Sequence, residues 1–338
     1  MEILLDIYGC DDGMKNAIEA ALKVADQIKS KITLVGNTVE INEYIKQNYK
    51  KNSLEELNPN IGILHADSYI TNNEEPARAI KTRKDSTIVV AYNYMKEKDN
   101  TIFVSAGSTG AVMAGGLLKL GRIKGIHRPA LCTILPSAGG KQTLFLDSGA
   151  NPNAKDISIL QYALLGKAYA KYVMKKEDIK VALLNIGEEE EKGTPELKEA
   201  YKLLKEEIPE FVGNIEPRDV PRGKVDVIVC DGLAGNICLK SLEGAVSVMK
   251  SELKQAFKAN IFNMILGAMV KPIIKKSLKR YDFREVGGGV LLGVKKPVVK
   301  LHGASDIKAF INGIKQADEI LNSNINTYIS EEIEKNKE

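Results

Sequence analysis

One stretch of the chain combines the residue types that bind an anion. The segment 101–116 begins as a short apolar strand, turns through small polar residues and continues as a helix with few large side chains. The turn consists of Ser105, Ala106, Gly107, Ser108, Thr109 and Gly110. Free N–H groups at a helix start attract anions, glycine permits close backbone approach, and hydroxyls add donors. The pattern predicts either an oxyanion or phosphate cradle, or simply a tight strand-to-helix turn.

A second turn repeats this arrangement. Val225–Cys230 reads as a buried strand that ends in Asp231 and a glycine turn. The helix that follows contains Gly235, Asn236 and Lys240. Ligands in open α/β sheets bind beyond the carboxyl ends of parallel strands, so the two turns predict one shared site.

A third strand, 298–301, is followed by His302, Ser305 and Asp306, just before the C-terminal helix. Histidine suits proton transfer near neutral pH. The alternatives are structural: Ser305 or Asp306 can cap the helix, and His302 can be a satisfied structural histidine.

A basic cluster precedes the first turn. Pro76 and two glutamates predict a helix start there, and Arg78, Lys81, Arg83 and Lys84 follow. The cluster predicts contact with a phosphate or an acidic partner, or only a solvated helix face.

Residues 250–280 carry eight basic residues against one acid, with an apolar run at 261–270 between the basic flanks. The run is shorter than the roughly 20 residues that a membrane span needs, but basic flanks around an apolar tip suit an anionic membrane surface. A dimer contact and an ordinary core helix pair are the alternatives. The predicted membrane contacts are Ile261, Phe262, Ile265, Leu266, Met269, Lys275 and Lys276.

The overall composition excludes several classes. The chain has 338 residues and a net charge of +4, too mild to indicate nucleic-acid binding. Its four cysteines lack paired spacing, it opens without a signal peptide, and we expect a reducing cytoplasm. Dinucleotide, P-loop, nucleophile-elbow and zinc-protease motifs are missing, and a chain with three histidines gives little support to a zinc site. We therefore predict no cofactor and no metal.

The element order predicts an α/β fold. Strands and helices alternate from residue 3 onwards, which implies parallel pairing with right-handed crossovers. The strand 129–135 and its return at 143–146 predict a hairpin, and 160–173 predicts an amphipathic helix. We expect one domain over residues 1–335, with 250–282 as a basic and apolar helical protrusion.

Together these motifs resemble the bacterial phosphate acyltransferase family, PlsX. The resemblance runs in order along nearly the whole chain. It rests on Glu75-Pro76, Lys84-Asp85-Ser86, Ser105–Ala111, Gly121–Gly125, Arg128–Ala130, Leu146–Asn151, Leu184–Gly187, Gly213-Asn214, Asp231-Gly232, Gly235-Asn236, Lys240, Glu243-Gly244 and His302–Asp306.

The resemblance implies transfer of a fatty acyl group from acyl carrier protein to inorganic phosphate, giving acyl phosphate for phospholipid synthesis. It implies a homodimer in the cytoplasm with peripheral membrane contact, near a downstream glycerol-phosphate acyltransferase. It also implies a Rossmann-like α/β/α sandwich with a mostly parallel sheet, related to phosphotransacetylases and isopropylmalate dehydrogenases.

With this chemistry in view, each candidate residue receives an expected role. The Ser105–Gly110 turn holds phosphate with help from Lys84 or Lys240, Asn236 and the backbone near Gly235 receive the oxyanion, and His302 acts as acid or base. Asp231 is a further catalytic candidate. Asn151, Ser305 and Asp306 are further substrate-binding candidates.

One departure from the family concerns the first loop. The family pattern Asp-Ala-Met-Gly-Gly-Asp is Asp6-Ile-Tyr-Gly-Cys-Asp11 here, and Cys10 is expected to restrict the turn. This altered loop is the basis of one rival function, a non-catalytic membrane organiser that binds acyl carrier protein. The nearest enzymatic rival is a coenzyme A-dependent phosphotransacetylase.

Overall fold

The strands of the chain form one sheet. The computed structural model describes residues 1–279 and 285–335, without the side chains of 275, 276, 278 and 279. The described strands are β1 Glu2–Asp6, β2 Lys31–Gly36, β3 Ile61–His65, β4 Thr101–Ser105, β5 Ala130–Pro136, β6 Gln142–Leu146, β7 Val181–Leu184, β8 Phe211–Ile215, β9 Val227–Val229, β10 Gly289–Leu292 and β11 Val298–Lys300.

Helices connect most of these strands. The described helices are α1 Lys15–Val24, α2 Thr38–Tyr49, α3 Leu54–Leu57, α4 Pro76–Thr82, α5 Thr87–Glu97, α6 Thr109–Gly115, α7 Asp156–Tyr172, α8 Pro195–Glu207, α9 Gly232–Lys258, α10 Ile261–Lys279, α11 Ile307–Ser323 and α12 Ile325–Lys335.

The sheet has the order β3-β2-β1-β4-β11-β10-β5-β6-β9-β7-β8. Its two outer parts are parallel, whereas the pairings β11–β10, β10–β5 and β5–β6 in the middle are antiparallel. The predicted hairpin of β5 and β6 is confirmed. Because β11 is parallel to β4, the chain segment after Lys300 emerges beside the turn after Ser105.

Both faces of the sheet are covered, as the near-continuous apolar strands require. Along β1, Ile3 and Leu5 join the core beneath α1, α7 and α11, while Leu4 joins the core beneath α5 and α6. This alternation confirms the predicted Rossmann-like α/β/α sandwich. All described strands lie in this one sheet, which supports our proposal that residues 1–335 act as one domain.

Helix α7 differs from its prediction. We expected an amphipathic helix over 160–173, but the helix spans Asp156–Tyr172 and is buried on nearly every side from Ser158 to Ala170. It packs between the sheet and the helices α8 and α12. A helix covered on all sides needs no polar stripe, because neighbouring helices replace solvent.

Helices α9 and α10 form a hairpin whose side chains are mostly exposed to solvent. Helix α9 has 27 residues, which makes it roughly 40 Å long at about 1.5 Å per residue. Beyond Ser247 its described side chains are exposed or half-buried, and α10 packs against it. The predicted protrusion is therefore helical where it is described, and residues 280–282 lie outside the described residues. No helix among the described residues is long and apolar enough to cross a membrane.

Two glycines of α9 give a stability prediction. A Cβ on Gly235 would overlap the carbonyl oxygen of Asp147, whereas a Cβ on Gly244 would meet nothing within 4 Å. We expect Gly235→Ala to lower the free energy of unfolding by about 2 kcal/mol or more, because backbone atoms cannot yield. The matched Gly244→Ala should raise it by about 0.5–1 kcal/mol, since alanine favours a helix. Urea unfolding measures both, and equal effects would contradict the packing described for Gly235.

Candidate active site

A cleft of about 710 Å³ opens at the carboxyl ends of β4 and β11. Its polar wall includes Thr109, Asn236, Lys240, His302 and Ser305, which were all predicted from the sequence. Its apolar wall is made by Leu131, Ile134, Leu239, Val246, Val286 and Leu301. The three predicted turns therefore meet around one cavity with a polar side and an apolar side.

The turn after β4 is held from below by a buried carboxylate. Asp6, at the end of β1, is 1% exposed and accepts a 2.7 Å hydrogen bond from the Ser105 hydroxyl. The same hydroxyl accepts a hydrogen bond from the N–H of Gly107. Burial raises the pKa of Asp6 to about 6, and the hydrogen bond from Ser105 offsets part of this increase. Ser105 thus shapes the predicted cradle from beneath, while Thr109 reaches the cleft itself.

The rest of this turn is divided between two cavities. Ser108 is the buried N-cap residue of α6 and lines a second cavity of about 740 Å³, beside the first loop. Gly110 lies against Pro76, the first residue of α4. The predicted cradle therefore forms a wall between the two cavities, with Thr109 on the side of His302.

The first loop is not restricted by Cys10, contrary to expectation. The positive φ of this turn, 82°, falls on Gly9, and a Cβ there would overlap the Cα of Gly107. The thiol of Cys10 instead donates a hydrogen bond to the carbonyl oxygen of Ser305. The N–H of Asp11 donates to the carbonyl oxygen of Gly303. The cysteine thus ties the first loop to the turn after β11.

His302 is exposed at the end of β11, and its ring has one fixed contact. The N–H of Ala304 donates to Nδ1 of His302 at 3.1 Å. Since Nδ1 accepts, the neutral ring carries its proton on Nε2. His302 is therefore set up to donate a hydrogen bond from Nε2 to a group in the cleft.

The start of α9 presents Asn236 and Lys240 one turn apart on the face toward the cleft. Asp231 caps this helix by accepting from the N–H groups of Leu233 and Ala234. Gly235 lies directly against Asp147, so the helix start is fixed close to the end of β6. The catalytic role expected for Asp231 stays a prediction, and its observed contacts are those of a cap.

Three other predicted residues do not line the cleft: two of them contact other protein groups, and the third lies outside the cavities. Asp306 caps α11 through the N–H of Ala309. Asn151 is buried and donates to Pro129 and to the carboxylate of Asp147. Lys84 is exposed after α4 and is not among the residues that line either cavity. Substrate binding by these three residues stays a prediction.

Sequence reasoning missed several polar groups of the cleft, among them Lys300 and Ser148. Lys300 lies in the cleft wall and is 9% exposed. Ser148 also lines the cleft, and its hydroxyl lies 2.8 Å from that of Thr133. A lysine inside the apolar strand 298–301 was the available signal for Lys300, because a charge in a buried strand needs a reason.

Comparison with known proteins identifies the family. A family model described as "Fatty acid synthesis protein" matches residues 1–328. A phosphate acyltransferase of Thermoanaerobacterium thermosaccharolyticum is 40% identical over 334 residues, 99% of this chain and 97% of the relative. A phosphate acyltransferase of Alkaliphilus oremlandii is 42% identical over 332 residues, 98% of this chain and 97% of the relative. The chain belongs to the phosphate acyltransferase family, PlsX. It is accordingly an enzyme, an acyltransferase.

Solved structures agree with this acyltransferase in fold. A phosphotransacetylase from Streptococcus pyogenes has a TM-score of 0.61 at 15% identity, covering 95% of this chain and 94% of its own. A branched-chain phosphotransacylase from Enterococcus faecalis has a TM-score of 0.56 at 14% identity, covering 96% and 100%. These likenesses confirm the predicted relation to the phosphotransacetylase fold.

The position of His302 gives a prediction for this acyltransferase. We expect His302→Ala to lower the turnover number by about 100-fold or more, because a hydrogen-bond donor positioned at the reacting groups is lost. The melting temperature should stay the same, since the exposed ring has one local hydrogen bond. Steady-state acyl transfer and thermal unfolding measure the two effects. His65→Ala is the matched control, because His65 is also half-exposed but lies outside the cleft. A His302→Ala enzyme with full turnover would exclude this role.

Proposed function

We propose that the protein transfers a fatty acyl group from acyl carrier protein to inorganic phosphate and forms acyl phosphate for phospholipid synthesis. The observation that carries this proposal is the two-sided cleft. Its polar wall suits a phosphate and a reacting carbonyl, and its apolar wall suits an acyl chain. Relatives named phosphate acyltransferase, matched along nearly the full chain, support the same reaction.

The reaction is a direct displacement. An oxygen of hydrogen phosphate attacks the thioester carbonyl carbon, a C–O bond forms, and the C–S bond breaks. The proton of hydrogen phosphate is transferred to the departing thiolate, so the thiol leaves neutral and acyl phosphate remains. The enzyme has to align the two reactants and stabilise the oxyanion, which needs no protein nucleophile.

Residues of the cleft provide donors for each step. Asn236 stabilises the carbonyl oxyanion, and Lys240 and the turn at Thr109 bind phosphate. The expected contribution of the backbone at Gly235 is not supported, because its N–H already donates to the carbonyl oxygen of Asp231. His302 donates a hydrogen bond from Nε2 to the departing sulfur and stabilises its developing negative charge, while the proton that reaches sulfur comes from hydrogen phosphate.

A covalent cysteine intermediate fits this cleft poorly. Cys230 and Cys238 are buried, and neither is among the residues that line the cleft. Burial raises the pKa of both thiols, which disfavours the nucleophilic thiolate.

The acyl carrier protein, an acidic partner, requires a basic surface near the cleft. Helix α4 packs against α6, which places Arg78, Lys81 and Lys84 beside the helix that carries Thr109. A second basic segment, Arg122–Arg128, is the other candidate for docking, but it lies near the turn between β10 and β11, since the N–H of Ile123 donates to the carbonyl oxygen of Gly293. That turn is at the opposite edge of the sheet from His302. We therefore favour the α4 cluster as the docking surface.

Phosphate-dependent release of free acyl carrier protein from palmitoyl-acyl carrier protein tests the proposed function. We expect release only with phosphate present, and hydroxylamine should trap the acyl phosphate as the hydroxamate. Acetyl coenzyme A should not replace the donor, and rapid turnover of it would favour the phosphotransacetylase alternative. A protein that binds acyl carrier protein but never consumes the thioester would favour the organiser alternative.

We also propose that the protein is cytoplasmic and that the α9–α10 hairpin attaches it to the surface of an anionic membrane. Its exposed apolar side chains include Ile261, Phe262, Ile265, Leu266 and Met269, with exposed fractions from 41% to 79%. Lys254, Lys258 and Lys271 flank them and are also exposed. The side chains of Lys275 and Lys276 lie outside the described residues.

An apolar patch of this kind marks a membrane or protein interface. Exposed lysines beside it favour anionic lipid. A contact between two copies in a homodimer is the alternative occupant. Membrane attachment would bring the acyl phosphate close to a downstream glycerol-phosphate acyltransferase.

Substitution of the hairpin tip tests membrane attachment. We expect Phe262→Gln with Met269→Gln to reduce sedimentation with phosphatidylglycerol vesicles at least tenfold, because apolar area no longer enters the lipid. Turnover of soluble palmitoyl-acyl carrier protein should remain, since both residues lie outside the cleft. Val212→Gln, at an exposed position of β8, is the control. Full vesicle binding combined with a change in oligomeric state would assign the hairpin to the dimer.

A further inference from the structure

Lys300 is a cation in an unusual place. It is the last residue of β11, in the middle of the sheet, between Ser105 of β4 and Gly289 of β10. Only 9% of its surface is exposed, yet it lines the cleft together with Thr109 and His302. Lysine is almost never buried to this extent without a partner, so the position calls for a specific role.

The surroundings of the Lys300 ammonium keep it charged. Its Nζ donates to the carbonyl oxygens of Leu301 and Ala106, the latter at 3.4 Å. Burial lowers the pKa of Lys300 to about 8, and the negative charge of Asp6 opposes that decrease. Since the pKa of Asp6 is raised only to about 6, both groups are mainly ionised at neutral pH.

The two carbonyl oxygens do not use all the N–H donors of the Lys300 ammonium. Lysine has three N–H donors, and these two carbonyls are its hydrogen-bond acceptors among the residues that the structure describes. The Asp6 carboxylate is engaged with Ser105 and with the N–H of Tyr8. A donor of Lys300 is therefore available to an anion in the cleft.

We propose that Lys300 is a catalytic residue whose ammonium binds the phosphate acceptor at the inner end of the cleft. This inference rests on the proposed function and adds a residue that was not among the sequence predictions. The ammonium transfers no proton. It holds the phosphate oxygens that do not attack, and it balances their charge while the C–O bond forms.

The other lysines of the cleft are less suited to this task. Lys240 and Lys250 are exposed, so water and salt screen their charges. A buried ammonium acts through a lower dielectric and loses little conformational freedom on binding, because the sheet already fixes it. We therefore assign the inner contact to Lys300 and the outer contact to Lys240.

Substitution of Lys300 tests the inference through the Michaelis constant for phosphate. We expect Lys300→Met to raise this constant by roughly 10- to 100-fold, the usual size of a lost charged hydrogen bond. The constant for palmitoyl-acyl carrier protein should change much less. Lys296→Met is the matched control, because Lys296 also donates to backbone carbonyls, of Met95 and Lys98, but away from the cleft.

A second variant separates phosphate binding from folding. Lys300→Met alone leaves Asp6 buried without a countercharge and should lower the melting temperature. The double variant Asp6→Asn, Lys300→Met removes both charges, so the melting temperature should recover while the Michaelis constant for phosphate stays high. The single Asp6→Asn variant provides the reference, because it removes the carboxylate charge but keeps the Lys300 ammonium, and the Michaelis constant of the double variant should lie at least tenfold above that of this reference.

The outcomes are distinct. Recovery of phosphate affinity in the double variant, or an unchanged constant in Lys300→Met, would make Lys300 a structural residue and overturn the inference. A wild-type enzyme without phosphate-dependent release would instead overturn the proposed function itself.

Discussion

The carboxylate of Asp6 joins three strand ends that are distant in the sequence. It accepts from Ser105 at the end of β4, it attracts Lys300 at the end of β11, and it closes its own turn through Tyr8. A buried carboxylate is costly unless hydrogen bonds and a countercharge satisfy it. Asp6 therefore positions the turn after β4 next to the end of β11. The cleft lies between these two segments and depends on their position.

The antiparallel centre of the sheet has a direct consequence for the cleft. Strands β10 and β11 are inserted between β4 and β5, so His302 emerges next to the turn at Thr109. On the other side, Gly235 packs on Asp147 and brings Asn236 and Lys240 to the same cavity. Residues from the middle and the end of the chain thus face one space, which is what a reaction between two bound substrates requires.

The α9–α10 hairpin links this cleft to the exposed apolar surface. Helix α9 begins at the cleft with Asn236 and extends to the exposed lysines and apolar side chains of the hairpin. A single rigid element thus connects the proposed phosphate chemistry with the proposed membrane contact. An acyl chain that lies along Leu239 and Val246 would follow the same helix.

From the sequence we could predict the α/β fold class, the family and five polar residues of the cleft, namely Thr109, Asn236, Lys240, His302 and Ser305. Strand periodicity, glycine turns and the order of the motifs are local features, and each survives in the structure at the predicted place. The tertiary structure was needed to establish which polar groups line the cleft. The carboxylates of Asp231 and Asp306 satisfy helix starts, although their sequence positions resembled those of catalytic groups. It also decided that α7 is buried on nearly every side and that Lys300 lies in the cleft wall. Burial and charge pairing depend on strands brought together from distant parts of the chain, and no local pattern encodes that proximity.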